Sequence, residues 1–133
     1  MREILFRGKR LDNGEWVYGD LLHDGYDYDV AIWERGTKMV TEVVGSTVGL
    51  YTGLTAHGKR IFEGDIVFAK DDIWGYPFAD GIKGKVVYYE TAFFIEPKNV
   101  MDTEWLFNEC AVYEIIGNIH DNPELLEGGV NDG

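Results

Sequence analysis

The sequence is poor in cysteine and proline and has no long hydrophobic run. Cys110 is its single cysteine, so no disulfide can form within the chain, and a reducing compartment is the expected environment. No segment approaches the roughly 20 apolar residues that a membrane-spanning helix needs. The first residues also lack the apolar core of a signal peptide. These absences predict a soluble cytoplasmic protein with no membrane association.

Basic residues are scarce as well, above all towards the end of the chain. Twelve lysines and arginines stand against 24 acids, which gives a formal net charge of −12. No lysine or arginine follows Lys98, whereas Arg2, Arg7, Lys9 and Arg10 lie close together near the start. The overall charge opposes binding to nucleic acid or to an anionic membrane. A basic face would form only if those four side chains converged, and we favour simple solvation of two strand faces.

Recognisable catalytic and metal-binding motifs are missing. There is no Gly-x-Ser-x-Gly, no phosphate-binding loop ending in Gly-Lys-Ser/Thr and no Cys-x-x-Cys. Asp24, Asp27 and Asp29 lack the spacing of a calcium-binding loop, and the histidines are not spaced like zinc ligands. Cys110 is interpreted as a buried structural residue. The sequence therefore predicts a protein that is not an enzyme and has no cofactor and no metal site.

What the sequence does have is a series of short strand-like runs separated by turn residues. Asn13-Gly14 separates residues 3–12 from residues 15–22. This pair predicts a hairpin with a type I′ turn, because both residues tolerate a positive φ. Residues 30–34 and 37–44 flank a second turn and predict a second hairpin.

The stretch 49–67 reads as strand, turn and strand, and the rest of the chain is organised around it. Gly64 stands between two apolar pairs, which predicts a bend or bulge of the kind that turns a barrel corner. Further strands are predicted at residues 83–90, 91–96 and 111–119, where β-branched and aromatic residues are dense. Many short strands with no sustained helical periodicity favour an all-β barrel over an α/β fold.

Two short helical turns are predicted near the C-terminus. The first begins at Asp102 or Thr103 and runs to about Glu109, and the second begins with Asn122 as cap and Pro123 at the first helical position. The tail from residue 128 is small and polar and is expected to fray.

Three blocks of the sequence resemble the YopX family of small phage- and prophage-encoded proteins. The blocks are RGKRLDNGEWVYGDLL (7–22), VGLYTGLTAHGKRIFEGDIV (48–67) and YEIIGNIHDNPELL (113–126). The resemblance implies a mostly β architecture with an SH3-like barrel in the C-terminal half. The expected organisation is a β-subdomain over residues 1–46, the barrel with its helical turn over 47–127, and a tail. The resemblance implies no reaction, since the family has no established activity.

The loop over residues 71–81 is the strongest candidate for function. It carries Ile73, Trp74, Tyr76 and Phe78 between acidic residues. Such aromatics either fold back as a lid on the barrel or bind a partner, and an acidic rim suits a protein-binding hot spot. The leading hypothesis is a phage-encoded, non-enzymatic interaction module whose partner is an unidentified host or phage protein.

Three alternatives stay open. A nucleic-acid-binding module would use Arg2, Arg7, Lys9 and Arg10, with Trp16 to stack on a base. The acidic surface would instead serve as a mimic of DNA. Self-association through an edge strand or the aromatic loop is the third alternative.

Overall fold

The structure is a computed structural model that describes residues 2–23, 30–71, 80–108 and 111–127. The chain forms two compact units, Met1–Gly53 and Leu54–Gly133, and the expected boundary near residue 46 stays a prediction. The strands, in chain order, are β1 (Phe6–Lys9), β2 (Trp16–His23), β3 (Val30–Glu34), β4 (Met39–Val43), β5 (Gly49–Ala56), β6 (Lys59–Phe62), β7 (Asp65–Asp71), β8 (Ile82–Tyr89), β9 (Ala92–Glu96), β10 (Glu104–Trp105) and β11 (Ala111–Asn118).

The first hairpin, β1–β2, is confirmed, but its turn differs from the predicted type I′. Gly14 has a φ of +75° whereas Asn13 has no positive φ. The Asn13 side chain accepts a hydrogen bond from the Glu15 amide (2.9 Å), and the Arg10 amide donates to the Glu15 carbonyl (2.8 Å). Because the asparagine side chain stabilises the loop, only the glycine needs a left-handed backbone.

The second hairpin, β3–β4, is also confirmed, with Val30 opposite Val43. The end of β4 also pairs with the end of β1. Arg10 and Val43 form an isolated antiparallel β-bridge, and the Val44 amide donates to the Lys9 carbonyl (2.8 Å). Strands β1 to β4 therefore curl around a small apolar core. Its buried members are Val17, Ile32 and Val43.

The bend predicted at Gly64 is confirmed, and it moves the chain from one sheet to another. The first sheet has the order β4-β3-β2-β1-β5-β6, and β7 begins the second. Gly64 has a φ of +95°, and the buried Asp65 carboxylate accepts from the Phe62 amide (2.7 Å). A residue with a Cβ would be strained at that φ, which explains the glycine between two apolar pairs.

The second sheet has the order β10-β9-β8-β7-β11 and is antiparallel throughout. One face covers the larger core, whose fully buried members include Ile61, Val67, Val86, Ile95 and Leu106. The all-β prediction is confirmed. Within the described part of the chain, β10 and β11 stay unpaired with each other, so the expected SH3-like barrel is not closed.

The helical turn predicted from Asp102 or Thr103 onward is wrong. A 3₁₀ turn comes earlier, at Val100–Asp102, and Glu104–Trp105 is a strand paired with β9. Extended pairing wins because it lets the Leu106 amide donate to the Phe93 carbonyl (3.0 Å) while the Leu106 side chain is buried.

The C-terminal helical segment is a 3₁₀ turn at Pro123–Leu125. The Asn122 side chain does not cap it and instead accepts from the Asn118 amide (3.3 Å). In the described residues no helix has the length and apolar character that crossing a membrane would require.

Candidate interaction surfaces

The outer face of β8, β9 and β10 carries three adjacent aromatic side chains, which we call the aromatic row: Tyr89, Phe94 and Trp105. Side chains alternate along a strand, so the neighbour Ile95 enters the core while Phe94 faces outward. Trp105 lies directly opposite Phe94 in the β9–β10 ladder. The pleat of the sheet therefore gathers residues that are far apart in the sequence.

The rings of the aromatic row contact one another and remain accessible to solvent. Tyr89 and Phe94 are stacked, with centroids 4.8 Å apart and planes inclined by 17°. Phe94 and Trp105 are also 4.8 Å apart, at 31°. Trp105 is 61% exposed and Tyr89 is 43% exposed. Aromatic contacts at these distances stabilise the arrangement, and the result is a continuous apolar patch on an exposed sheet face.

The backbone that carries Trp105 is fixed from the core side. The Tyr113 hydroxyl donates to the Leu106 carbonyl and accepts from the Asn108 amide (3.0 Å). Burial raises the pKa of the Tyr113 phenol, so this group remains a neutral donor at physiological pH. Leu106 is thereby held inside while its neighbours Trp105 and Phe107 face solvent.

The surroundings of the aromatic row are acidic. Glu90 follows Tyr89 at the tip of the β8–β9 hairpin, and Asp102 lies three residues before Trp105. Glu104 is opposite the buried Ile95 and therefore faces the other side of the sheet. Further along the same sheet face, Lys85 and Glu96 form an ion pair (3.4 Å) and offset each other. The charge beside the aromatic row is therefore negative.

The first unit brings together three residues of the basic face considered from the sequence. Arg7, Lys9 and Trp16 share one side of the β1–β2 hairpin, with Lys9 opposite Trp16 in the ladder. The Arg7 guanidinium carbon lies 4.4 Å from the centre of the Trp16 ring, and the Lys9 ammonium lies 5.4 Å from it. Arg7 is only 6% exposed. Its charge therefore stabilises the hairpin through the contact with the Trp16 ring.

The other two basic residues of that face are placed differently. Arg10 binds Asp12 through two hydrogen bonds, from Nε (2.9 Å) and from a terminal nitrogen (2.8 Å). The Arg10 hydrogen bond lowers the pKa of the Asp12 carboxyl. Arg2 precedes β1 and is exposed. Arg7 and Arg10 both interact with other residues of the hairpin, and the nucleic-acid role of this face stays a prediction.

A comparison with known protein families shows to which family the chain belongs. The family model described as YopX protein matches residues 5–127. The chain belongs to the YopX family. Among solved structures, it is similar to the X-ray crystal structure of protein yopX from Bacillus subtilis, with a TM-score of 0.58 and 22% sequence identity. That match covers 93% of this chain and 96% of the other, and at this identity it shows the fold alone. A search among curated proteins found no match.

The aromatic loop predicted as the contact site of this YopX family chain lies outside the described residues. Ile73, Trp74, Tyr76 and Phe78 all fall between residues 72 and 79. The loop connects β7 to β8, which pair through Ala69 and Ile82. The role of the loop stays a prediction.

Metal ligands do not cluster in the part of the chain that the structure describes. Asp24, Asp27, Asp29 and Cys110 belong to the segments outside it.

The aromatic row was not predicted from the sequence, although a signal for it exists. Phe93, Phe94 and Ile95 read as one continuous β-forming run, which hides the fact that only alternate residues enter the core. Trp105 was assigned to a helical turn, which removed it from any sheet face. Treating residues 104–106 as a strand would have placed Trp105 and Leu106 on opposite faces and indicated an exposed tryptophan.

Proposed function

We propose that this YopX family protein is a non-enzymatic protein-interaction module and that the aromatic row is its contact surface. The observation that carries the proposal is Trp105, which is 61% exposed yet held in ring contact with Phe94 on a sheet face. The proposal includes a phage or prophage origin, action in the cytoplasm of the bacterial host, and a host or phage protein as partner.

The anatomy of the aromatic row supports a protein partner. Interface centres are enriched in tryptophan, tyrosine and phenylalanine, and such residues carry most of the binding energy when a polar rim surrounds them. Trp105 and Tyr89 provide such a centre, and the exposed Glu90 follows Tyr89 in the turn at its edge. The rings are already ordered by their mutual contacts, which reduces the entropy lost on binding.

The loop with Ile73, Trp74, Tyr76 and Phe78 is the second contact segment in this proposal. Its composition is that of an interface hot spot, and substitution of Trp74 tests it independently of Trp105.

The test is affinity purification of the tagged full-length protein from a lysate of the bacterial host, with and without nuclease, at two salt concentrations. Wild type is compared with Trp105→Ala, Trp74→Ala and Val112→Ala. Val112 is a matched control, because it is 47% exposed and lies on β11 at the opposite edge of the same sheet.

A partner protein that Val112→Ala retains and Trp105→Ala loses is the expected result. A partner retained equally by all variants would contradict the assignment of the contact surface. Recovery of only nuclease-sensitive nucleic acid that salt releases would contradict the protein-interaction function and favour the β1–β2 hairpin.

A further inference from the structure

We infer that the aromatic row binds a basic protein segment, with arginine or lysine side chains placed on the rings of Trp105 and Tyr89. The inference rests on the proposed function and adds the chemistry of the partner. Three features of the second unit carry it: local charge, ring geometry and the poor fit of the alternative occupants.

The local charge selects a cation. Glu90 follows Tyr89 in the chain and Asp102 lies three residues before Trp105, whereas Lys85 on the same sheet face is already paired with Glu96. Within the described residues, Glu90 forms no ion pair. Lysine and arginine are absent from the sequence after Lys98. A basic segment would therefore meet carboxylates of the rim as well as apolar rings.

The exposed Trp105 ring provides a binding position for that cation. Tryptophan is the best cation–π partner among the side chains, and arginine is its most frequent cation. In the first unit Trp16 has this contact from Arg7, at 4.4 Å. No described cation lies over Trp105, whose accessible surface is therefore open to a cation from another molecule.

Other occupants fit less well. A second copy of the chain would bring the same acids into contact with one another, and like charges disfavour that arrangement. The phosphates of a single-stranded nucleic acid would meet Glu90 beside the rings. The net charge of −12 repels both at long range, whereas it accelerates the approach of a basic partner.

The experiment compares two peptides with the isotope-labelled full-length protein by nuclear magnetic resonance. The first probe is an acetylated and amidated pentapeptide of alternating arginine and leucine. The second has citrulline in place of every arginine, which keeps the shape of the side chain but removes the charge and replaces one NH2 donor with a carbonyl acceptor. We expect the arginine peptide to shift the Trp105 indole signal, and the citrulline peptide to bind about tenfold more weakly.

Two sets of variants test which residues are responsible. Trp105→Leu should abolish the shifts that the arginine peptide causes in the amide signals of Tyr89 and Phe94, whereas Val112→Ala should preserve them. The variant Glu90→Gln should weaken the binding of the arginine peptide about threefold. Glu114→Gln is the matched charge control, because Glu114 is exposed on β11 at the far edge of the same sheet, and it should leave the affinity unchanged.

The outcomes separate this inference from the proposed function. Equal binding of both peptides at Trp105 would overturn the basic partner and leave the interaction surface in place. No binding of either peptide would also overturn it, and the lysate experiment would then decide the proposed function by itself. A shift of the Trp105 signal by oligothymidine, and not by the arginine peptide, would overturn it in favour of single-stranded nucleic acid.

Discussion

Trp16 in the first unit and Trp105 in the second occupy comparable places, since each lies on the outer side of an antiparallel strand pair. Their surroundings are opposite. Trp16 has the Arg7 guanidinium at 4.4 Å and the Lys9 ammonium at 5.4 Å. Among the described residues, Trp105 has Phe94 as its ring neighbour, at 4.8 Å, and no cation over its ring. The Trp16 ring is in contact with cations of the protein itself, whereas the Trp105 ring is accessible to a cation of another molecule.

The contrast extends to the charges of the two units. In the first unit Arg10 binds Asp12, and Arg35 binds both Asp20 (2.5 Å) and the Ile4 carbonyl (2.5 Å). Cations there connect segments of the same chain. A surface whose cations and rings are engaged with one another has little to offer a partner, whereas the second unit has exposed rings and unbalanced acids. The experiments below test this division from the largest expected effect to the smallest.

The largest losses of stability should come from substitutions in the two hydrophobic cores, and they should be similar in the two units. Ile32 and Ile95 are each 0% exposed, so Ile32→Ala and Ile95→Ala should each lower the free energy of unfolding by about 2–5 kcal/mol. Urea titration followed by circular dichroism measures this. Met39→Ala and Met101→Ala, at 60% and 86% exposed, are controls expected to stay within about 0.5 kcal/mol. A loss below that value at Ile32 would show that the first unit has no core of its own.

The second experiment separates the two tryptophans. Arg7→Met keeps an apolar stem but removes the charge over Trp16, and should cost about 2 kcal/mol of stability. In a Trp16→Leu background the same substitution should cost clearly less, which a double-mutant cycle of urea titrations measures. Trp105→Leu should cost less than about 1 kcal/mol but lose the partner. Equal losses of stability at Arg7 and Trp105 would remove the distinction between the two rings.

The third experiment concerns the tyrosine that supports the edge strand of the second unit. Tyr113→Phe removes a donor to the Leu106 carbonyl and an acceptor for the Asn108 amide, and should cost about 1–2 kcal/mol. Burial raises the pKa of the Tyr113 phenol in the folded state. Its contribution is therefore complete below the unfolded pKa of about 10 and is lost as the pH rises through the folded value.

Urea titrations of wild type and Tyr113→Phe between pH 7 and pH 11 measure this contribution. The difference between the two proteins should shrink at the alkaline end, while the other tyrosines, common to both, cancel. A difference that stays constant with pH would mean that the phenol is not titrating from a buried site.

Strand positions and hairpin partners could be predicted from the sequence, because turn residues and β-forming runs are local signals. Residues 30–34 were predicted as a strand and form β3, and the glycine at 64 indicated the bend. Turn types were harder to predict from the sequence. The β8–β9 hairpin turns at Glu90 and Thr91, with φ values of +51° and +69°, although neither residue favours that region. The strong pairing of the flanking strands imposes it.

The candidate surface could not be predicted for a different reason. Trp105 becomes an interface candidate only through its pairing with Phe94, and that pairing depends on which face of β9 is buried. The same holds for Arg7, which reads as a solvated cation in the sequence and is buried beside Trp16 in the fold. Exposure is decided by long-range packing, so composition alone assigned the aromatic role to the 71–81 loop.

The smallest effect should come from the ion pair that ties the second hairpin to β2. The Arg35 guanidinium donates to both carboxylate oxygens of Asp20 (2.5 and 3.2 Å), and its hydrogen bond lowers the pKa of the Asp20 carboxyl in the folded state. A lowered pKa means that the stabilisation is present above the unfolded pKa of about 3.9 and is lost as the pH falls through the folded value. Asp20→Asn should therefore be slightly less stable than wild type at pH 7, and the two should converge near pH 2.

Urea midpoints of both proteins at pH 7, 4 and 2 measure this, with Asp12→Asn as the matched control. Asp12 also has a pKa lowered by an arginine hydrogen bond, but its partner Arg10 is two residues away in the same loop. An ion pair between residues so close in the sequence restricts the chain little. Asp12→Asn should therefore shift the urea midpoint less than Asp20→Asn. If Asp12→Asn shifted it more, the cations of the first unit would act mainly within single turns. The division between an internally connected first unit and an outward-facing second unit would then rest on Arg7 and Trp16 alone.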